Sequence, residues 1–182
     1  MMFEGLHPPY KIIYADPPWA YRDKRNKHER LCGGAVVHYP VMSTREIQAL
    51  PIASLTDENC ILFVWATFPN IKETFKVIEA WGFIYKTLGF SWIKLNPKNH
   101  KPFFGIGHYT KSNCEVCLIG IKGRPAIVDN SVSSVIMSPR REHSQKPDEV
   151  REKIVQLCGC VPRVELFARD RVDGWDAWGL EI

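Results

Sequence analysis

The chain has 182 residues, 45% of them hydrophobic and 24% charged, which suits one packed core and is too short for two ordinary domains. No polar tract is long enough to read as disorder, no charged-then-apolar leader opens the sequence, and the longest apolar run, Cys60 to Ala66, is far too short to cross a bilayer. The expectation is a single domain over residues 1–182, soluble and cytoplasmic, with no membrane partner; a net charge of +4 is too mild to name a partner by itself.

Lys11 to Ala15 reads as a short apolar strand, stopped by the prolines of Asp16-Pro-Pro-Trp19. Ser43-Thr-Arg-Glu46 is a capping box that opens a short helix ending before Pro51. Cys60 to Ala66 suits a strand buried on both faces. Ile71, Phe75 and Ile78 fall at helical spacing, and Gly82 is placed to end that helix. Phe83 to Leu95 reads as a strand, or a bent pair, interrupted near Gly89. Asn96 to Asn113 reads as a polar loop and Cys114 to Ile121 as another strand. A short strand is expected within Ala126 to Ile136. Pro147 suits the first position of a helix that buries Val150, Ile154 and Leu157 and ends at Gly159. Arg163 to Ala168 and Trp175 to Glu181 complete the strands. Alternation of this kind predicts an α/β fold with a mostly parallel sheet flanked by helices. Such sheets bind ligands beyond the carboxyl ends of their strands, which selects Asp16, the turn after Ala66, and Arg169.

Six cysteines are present, at 32, 60, 114, 117, 158 and 160. Cys114 and Cys117 with Cys158 and Cys160 could suggest zinc, but positions three apart on a strand face opposite ways, and no glycine supplies a knuckle turn. Buried free thiols are the expectation, with no metal site. Basic residues cluster in three predicted loops. Arg22 to Arg30 carries five positive and two negative side chains, with Arg22, Lys24, Arg25 and Lys27 as candidate phosphate contacts. Lys94, Lys98, Lys101 and Lys111 form a second group, and Arg140, Arg141 and Lys146 a third. Solvated surface is the plain reading; a phosphate-binding rim is the functional one, provided that a base-handling site lies between them.

Asp16-Pro-Pro-Trp19 is where such a site would lie. An exocyclic aromatic amine, such as that of adenine, is a poor nucleophile because its lone pair is delocalised into the ring. Two acceptors at fixed angles could hold both of its hydrogens and favour a pyramidal nitrogen. Asp16 can supply one acceptor, and the Pro17 carbonyl the other, pre-aimed because successive prolines restrict the backbone. Trp19 offers a flat π-face on which a base could stack.

On this tetrapeptide, together with Tyr39-Pro-Val-Met-Ser43, Gly105-Ile-Gly-His108, Glu115-Val-Cys-Leu-Ile-Gly-Ile-Lys-Gly123, Lys146-Pro-Asp-Glu149, Glu165-Leu-Phe-Ala-Arg169 and Trp178-Gly-Leu-Glu181, the chain resembles the DPPW-type N6-adenosine methyltransferases over nearly its whole length. The resemblance implies a Rossmann-like, S-adenosylmethionine-dependent methyltransferase fold in permuted order, with the catalytic motif ahead of the cofactor elements. Asp16, Pro17, Pro18 and Trp19 would form the catalytic motif, with Asp16 and Pro17 also meeting the cofactor. Lys146 would lie at the methionine carboxylate, Arg169 and Glu181 at the ribose, Glu115 at the acceptor pocket and Tyr39 in the loop above it. The plain alternatives are a surface helix-start lysine, a structural Arg169–Glu165 pair, a frayed terminal Glu181 and a Glu115 that satisfies a neighbouring lysine. Only fifteen residues precede Asp16, so the segment that helps hold the cofactor adenine in larger relatives is expected to be short. The loop Tyr21 to Val37 is longer and more basic than theirs, which points to a different grip on nucleic acid.

The expected function is therefore methylation of adenine N6 in nucleic acid, with DNA the leading substrate. RNA adenosine is the runner-up, a catalytically silent nucleic-acid-binding subunit a third reading, and a small adenine-containing molecule a fourth. Whether the chain works alone, as a homodimer or with a partner chain stays open at this stage.

Overall fold

The computed structural model describes residues 3–20, 41–105, 107, 109–141, 145–179 and 182. Seven strands form one sheet: β1 (Tyr10–Ala15), β2 (Thr56–Ala66), β3 (Ile84–Leu95), β4 (Cys114–Lys122), β5 (Val135–Pro139), β6 (Arg163–Leu166) and β7 (Asp176–Trp178), in the spatial order β5-β3-β4-β2-β1-β6-β7. β1 is parallel to β2 and β6, β7 to β6, and β5 to β3; β4 is antiparallel to both of its neighbours. Among the described residues, six strands therefore run one way and β4 is reversed.

The run Cys60–Ala66 is buried throughout because both faces are covered. On one face, Ile47 of α1 (Thr44–Gln48) and Val77 and Ile78 of α2 (Ile71–Ala80) pack on Ile13, Leu62 and Val64. On the other, Val150, Ile154 and Cys158 of α3 (Glu149–Cys158) pack on Ile12, Tyr14, Phe63 and Trp65. Truncating a core residue such as Ile154 to alanine costs about 2–5 kcal/mol in sites of this kind.

Local signals act as expected at several boundaries. The Ser43 hydroxyl accepts from the Glu46 N–H while the Glu46 carboxylate accepts from the Ser43 N–H, which closes the capping box. Gly82, at φ 84°, ends α2; its N–H donates to the Glu79 carbonyl and that of Phe83 to Ile78, so two carbonyls of the last turn are satisfied. β3 runs unbroken through Gly89 but shifts register between Leu88 and Phe90, where a Cβ at Gly89 would press on Ile119 at 3.0 Å.

Other boundaries differ. β2 starts at Thr56, four residues before the apolar run, where Thr56 pairs with Tyr10 of β1. The short strand lies at Val135–Pro139, where it pairs with Ser91–Leu95, and not within 126–136. Helix α3 begins two residues after Pro147, and Cys158 takes the buried place expected of Leu157. The last strand shortens to Asp176–Trp178. Among the described residues, no helix is long and apolar enough to cross a membrane.

Candidate active site

β1 leads toward β2 on one side of the sheet while β6 leads to β7 on the other, so the direction of winding switches between β1 and β6. A crevice opens where connections diverge in this way, and Asp16 and Arg169 lie just past the two strand ends. The Asp16 N–H still reaches the Leu166 carbonyl at 3.5 Å; Pro17 and Pro18 have no N–H and end the ladder. The turn is then clamped. The Pro17 carbonyl accepts from the Trp19 N–H at 2.8 Å, the Pro18 carbonyl from the Met42 N–H at 2.9 Å, and the Met42 carbonyl from the Ala20 N–H at 3.2 Å. A carbonyl oxygen has a second lone pair, so Pro17 can still accept from a ligand.

Trp19 is placed differently from a stacking surface. It is 6% exposed within the core, and its indole N–H donates to the Trp65 carbonyl at 3.0 Å. Its ring anchors the Asp-Pro-Pro turn to the end of β2, and the buried indole satisfies its only donor by doing so.

The Lys146 ammonium donates to Asp16 Oδ2 at 2.7 Å and lies 3.3 Å from Glu115 Oε2. Glu115 in turn accepts from the Lys94 ammonium. Lys146 also sits 5.5 Å from the centre of the Trp65 ring, whose N–H donates to the Tyr14 hydroxyl at 2.7 Å. Two carboxylates and two ammonium groups thus alternate through a cluster assembled from the ends of β1, β3 and β4 and the approach to α3. Burial pushes the Asp16 carboxyl up, Lys146 pulls it down by charge and hydrogen bond, Glu115 adds an upward push and Arg169 a downward one; the outcome is above the ordinary value. Burial also acts upward on Glu115, but Lys146 and Lys94 outweigh it and hold that carboxyl low. Burial disfavours the Lys146 charge, yet Asp16 and Glu115 outweigh burial and keep the lysine protonated.

Beyond β6, Phe167 adopts the left-handed conformation at φ 62° and packs edge-on against Trp178 at 5.5 Å. The Ala168 N–H donates to the Trp178 carbonyl at 3.0 Å, and a Cβ at Gly179 would lie 2.1 Å from the Ala168 carbonyl oxygen. Only glycine permits so close an approach of the two backbones beside Arg169. The Arg169–Glu165 pair considered from sequence is not what Glu165 makes; both of its oxygens take a fork from Arg151, at 2.7 and 2.9 Å.

Among the sequence candidates, Asp16, Glu115 and Lys146 meet directly, and Arg169 is near enough for its charge to act on Asp16. Arg22, Lys24, Arg25, Lys27, Tyr39 and Glu181 lie outside the described residues. Lys94 and Trp65 join the site without having been singled out for it. Trp65 carried a signal, being at the carboxyl end of the longest apolar run. Lys94, read from sequence as part of a phosphate-contacting loop, lies instead in β3 and pairs with Glu115, as the alternative of a neighbouring lysine had it. Which lysine that is depends on the β3–β4 register, which sets Trp92 opposite Glu115.

Residues 10–181 match the MT-A70 family. The chain belongs to the MT-A70 family. It is 36% identical over 189 residues to the Type II methyltransferase M.MunI of a Mycoplasma species, covering 95% of this chain and 78% of that protein. It is 31% identical to a putative N(6)-adenosine-methyltransferase MT-A70-like protein of Medicago truncatula, covering 95% of the chain and 26% of the relative. It is 28% identical to the human N(6)-adenosine-methyltransferase catalytic subunit METTL3, covering 88% and 26%. The chain thus spans most of the first relative and about a quarter of the other two. The family is one of S-adenosylmethionine-dependent methyltransferases acting on adenine N6, and the mostly parallel sheet is consistent with its Rossmann-like fold.

Proposed function

We propose that this chain, acting as one domain in the cytoplasm, methylates adenine N6 in DNA, with S-adenosylmethionine as donor and without a metal. The observation that carries the reading is the Asp16–Lys146–Glu115 cluster at the switch point, behind a turn whose Pro17 carbonyl keeps an acceptor site. DNA is preferred to RNA because the chain spans 78% of a Type II methyltransferase but only about a quarter of the adenosine methyltransferases it resembles. The described cysteines are free thiols, which suits a reducing compartment.

The donor set fits the cofactor. A carboxylate and an ammonium 2.7 Å apart match the ammonium and carboxylate of a methionine group, and Arg169 lies within reach of the same crevice to meet a ribose. When bound, S-adenosylmethionine would supply an electrophilic methyl group, its S–C bond breaking to leave S-adenosylhomocysteine. Asp16 accepts one hydrogen of the adenine amine and the Pro17 carbonyl the other, which turns the nitrogen lone pair toward that methyl. A carboxylate offers about four acceptor sites, so the Lys146 bond to Oδ2 leaves room for the amine. As the new N–C bond forms, the nitrogen sheds a proton, and Asp16 is the group placed to receive it; burial raises its carboxyl and makes it the better base. Trp19 holds the turn so that both acceptors stay aimed, and the target base must leave its stack to reach them. Glu181, Tyr39 and the basic segment Arg22–Lys27 keep the cofactor-ribose, pocket and phosphate roles that the resemblance implies.

Incubating the protein and cofactor with DNA and, separately, RNA, then measuring modified nucleosides by mass spectrometry, tests this. N6-methyldeoxyadenosine is expected. Methylated adenosine from RNA alone would move the substrate to RNA, and no methylated adenine from either would remove the proposal.

A further inference from the structure

The carboxyl ends of β3 and β5 and the start of β4 open on the same edge of the sheet as Asp16. From that edge rises the loop 96–113. Its described residues fold back through the bridges Leu95–Pro102 and Gly105–Ser112. The Phe103 N–H donates to the Lys94 carbonyl at 2.7 Å, the Lys94 N–H to Asn113 at 2.9 Å, and the Arg140 N–H to Leu95 at 3.1 Å. A Cβ at Gly105 would come within 2.4 Å of the Ser112 carbonyl oxygen, so glycine is what lets the two arms meet.

This scaffold displays two large rings to solvent. Phe104 is 66% exposed and Tyr109 fully exposed, where neither contributes to a core. The Arg140 guanidinium lies 3.8 Å over the Phe103 ring. Residues 94–113 contain four lysines and no acidic residue. Lys94, at the root of the loop, is bonded to Glu115 and through it to Lys146 and Asp16, so the loop stands beside the proposed reaction centre. Exposed rings among cations, next to a site that takes a base out of its stack, are the chemistry of single-stranded nucleic-acid binding. Each ring accepts a base face of any sequence, and the cations follow the backbone.

We propose that the loop 96–113 holds the unpaired nucleotides beside the target adenine, with their bases stacked on Phe104 and Tyr109 and their phosphates on Lys98, Lys101 and Arg140. This rests on the nucleic-acid substrate proposed above and adds where its flanks lie. It implies a preference for strands whose flanking bases are free to stack over the same sequence in an uninterrupted duplex.

The test uses the full chain and a single-stranded oligonucleotide with one adenine flanked by 2-aminopurine, read by anisotropy for affinity and by quenching for stacking. Phe104→Ala and Tyr109→Ala should each weaken binding roughly 5- to 150-fold and relieve the quenching, while S-adenosylmethionine affinity by calorimetry stays at the wild-type value. Lys98→Gln with Lys101→Gln should flatten the salt dependence by about one unit of log–log slope per lost contact. Unchanged affinity and quenching in the aromatic variants would overturn the proposal. So would a change in sedimentation alone, which would make the rings a protein–protein contact. Binding is read without methyl transfer, so ring-dependent binding by a wild-type protein that methylates neither DNA nor RNA would uphold this surface while removing the proposed reaction.

Discussion

Two carboxylates lie at neighbouring strands: the half-buried Asp16 just past β1, and the buried Glu165 within β6. Burial pushes both above the ordinary carboxylate range, so that shift alone does not separate them. Their surroundings do. Glu165 faces α3, and both its oxygens are occupied by the planar fork of Arg151, itself braced by Asp148. Asp16 sits where the strand has stopped, shares one flexible lysine with Glu115, and is the more accessible of the two, at 23% against 10%. A carboxylate enclosed by arginine within the fold is structural. One at a strand end, held by a lysine that also serves another acid, is available for chemistry.

Crossed substitutions sharpen that contrast. Glu165→Ala leaves the half-buried Arg151 with Asp148 in place of its fork and should cost about 1–3 kcal/mol of stability in a urea melt, while the protein that remains folded turns over at the wild-type rate. Asp16→Ala should melt close to wild type yet lose ~10²–10³-fold in single-turnover methylation, the usual effect of removing one preorganised polar group. Asp16→Asn, which keeps one acceptor oxygen, should lie between the two. If Glu165→Ala slowed the chemistry and Asp16→Ala did not, the roles assigned to the two acids would be reversed. A smaller effect is expected of Lys146→Met, which should weaken S-adenosylmethionine binding roughly tenfold or more by calorimetry, as a charge-assisted hydrogen bond is lost. Unaltered affinity would remove Lys146 from the cofactor site.

Much of this was legible in the sequence because it is decided locally. Two prolines must end β1, so Asp16 had to stand at a strand end; seven successive apolar residues had to be a doubly buried strand; and the Ser43–Glu46 spacing had to cap α1. What escaped depends on partners far along the chain. The burial of Trp19 is set by the Trp65 carbonyl, 46 residues away. The pairing of Lys94 with Glu115 is set by antiparallel register. Val135–Pro139 is a strand because β3 offers it an edge, and its own composition does not announce that.

The central claim is that Asp16 is the acid–base group of methyl transfer and that Lys146 and Glu115 tune it in opposite senses. The pH dependence of the single-turnover rate, at saturating cofactor, tests this most directly in wild type, Lys146→Met and Glu115→Gln. Since burial raises Asp16 in the folded protein, the wild-type rate should fall on the acid side with a midpoint above the ordinary carboxylate value. Lys146 favours the ionised form and Glu115 opposes it, so Lys146→Met should move that midpoint to higher pH and Glu115→Gln should move it lower. The same midpoint in all three proteins, or shifts of the same sign, would contradict the account.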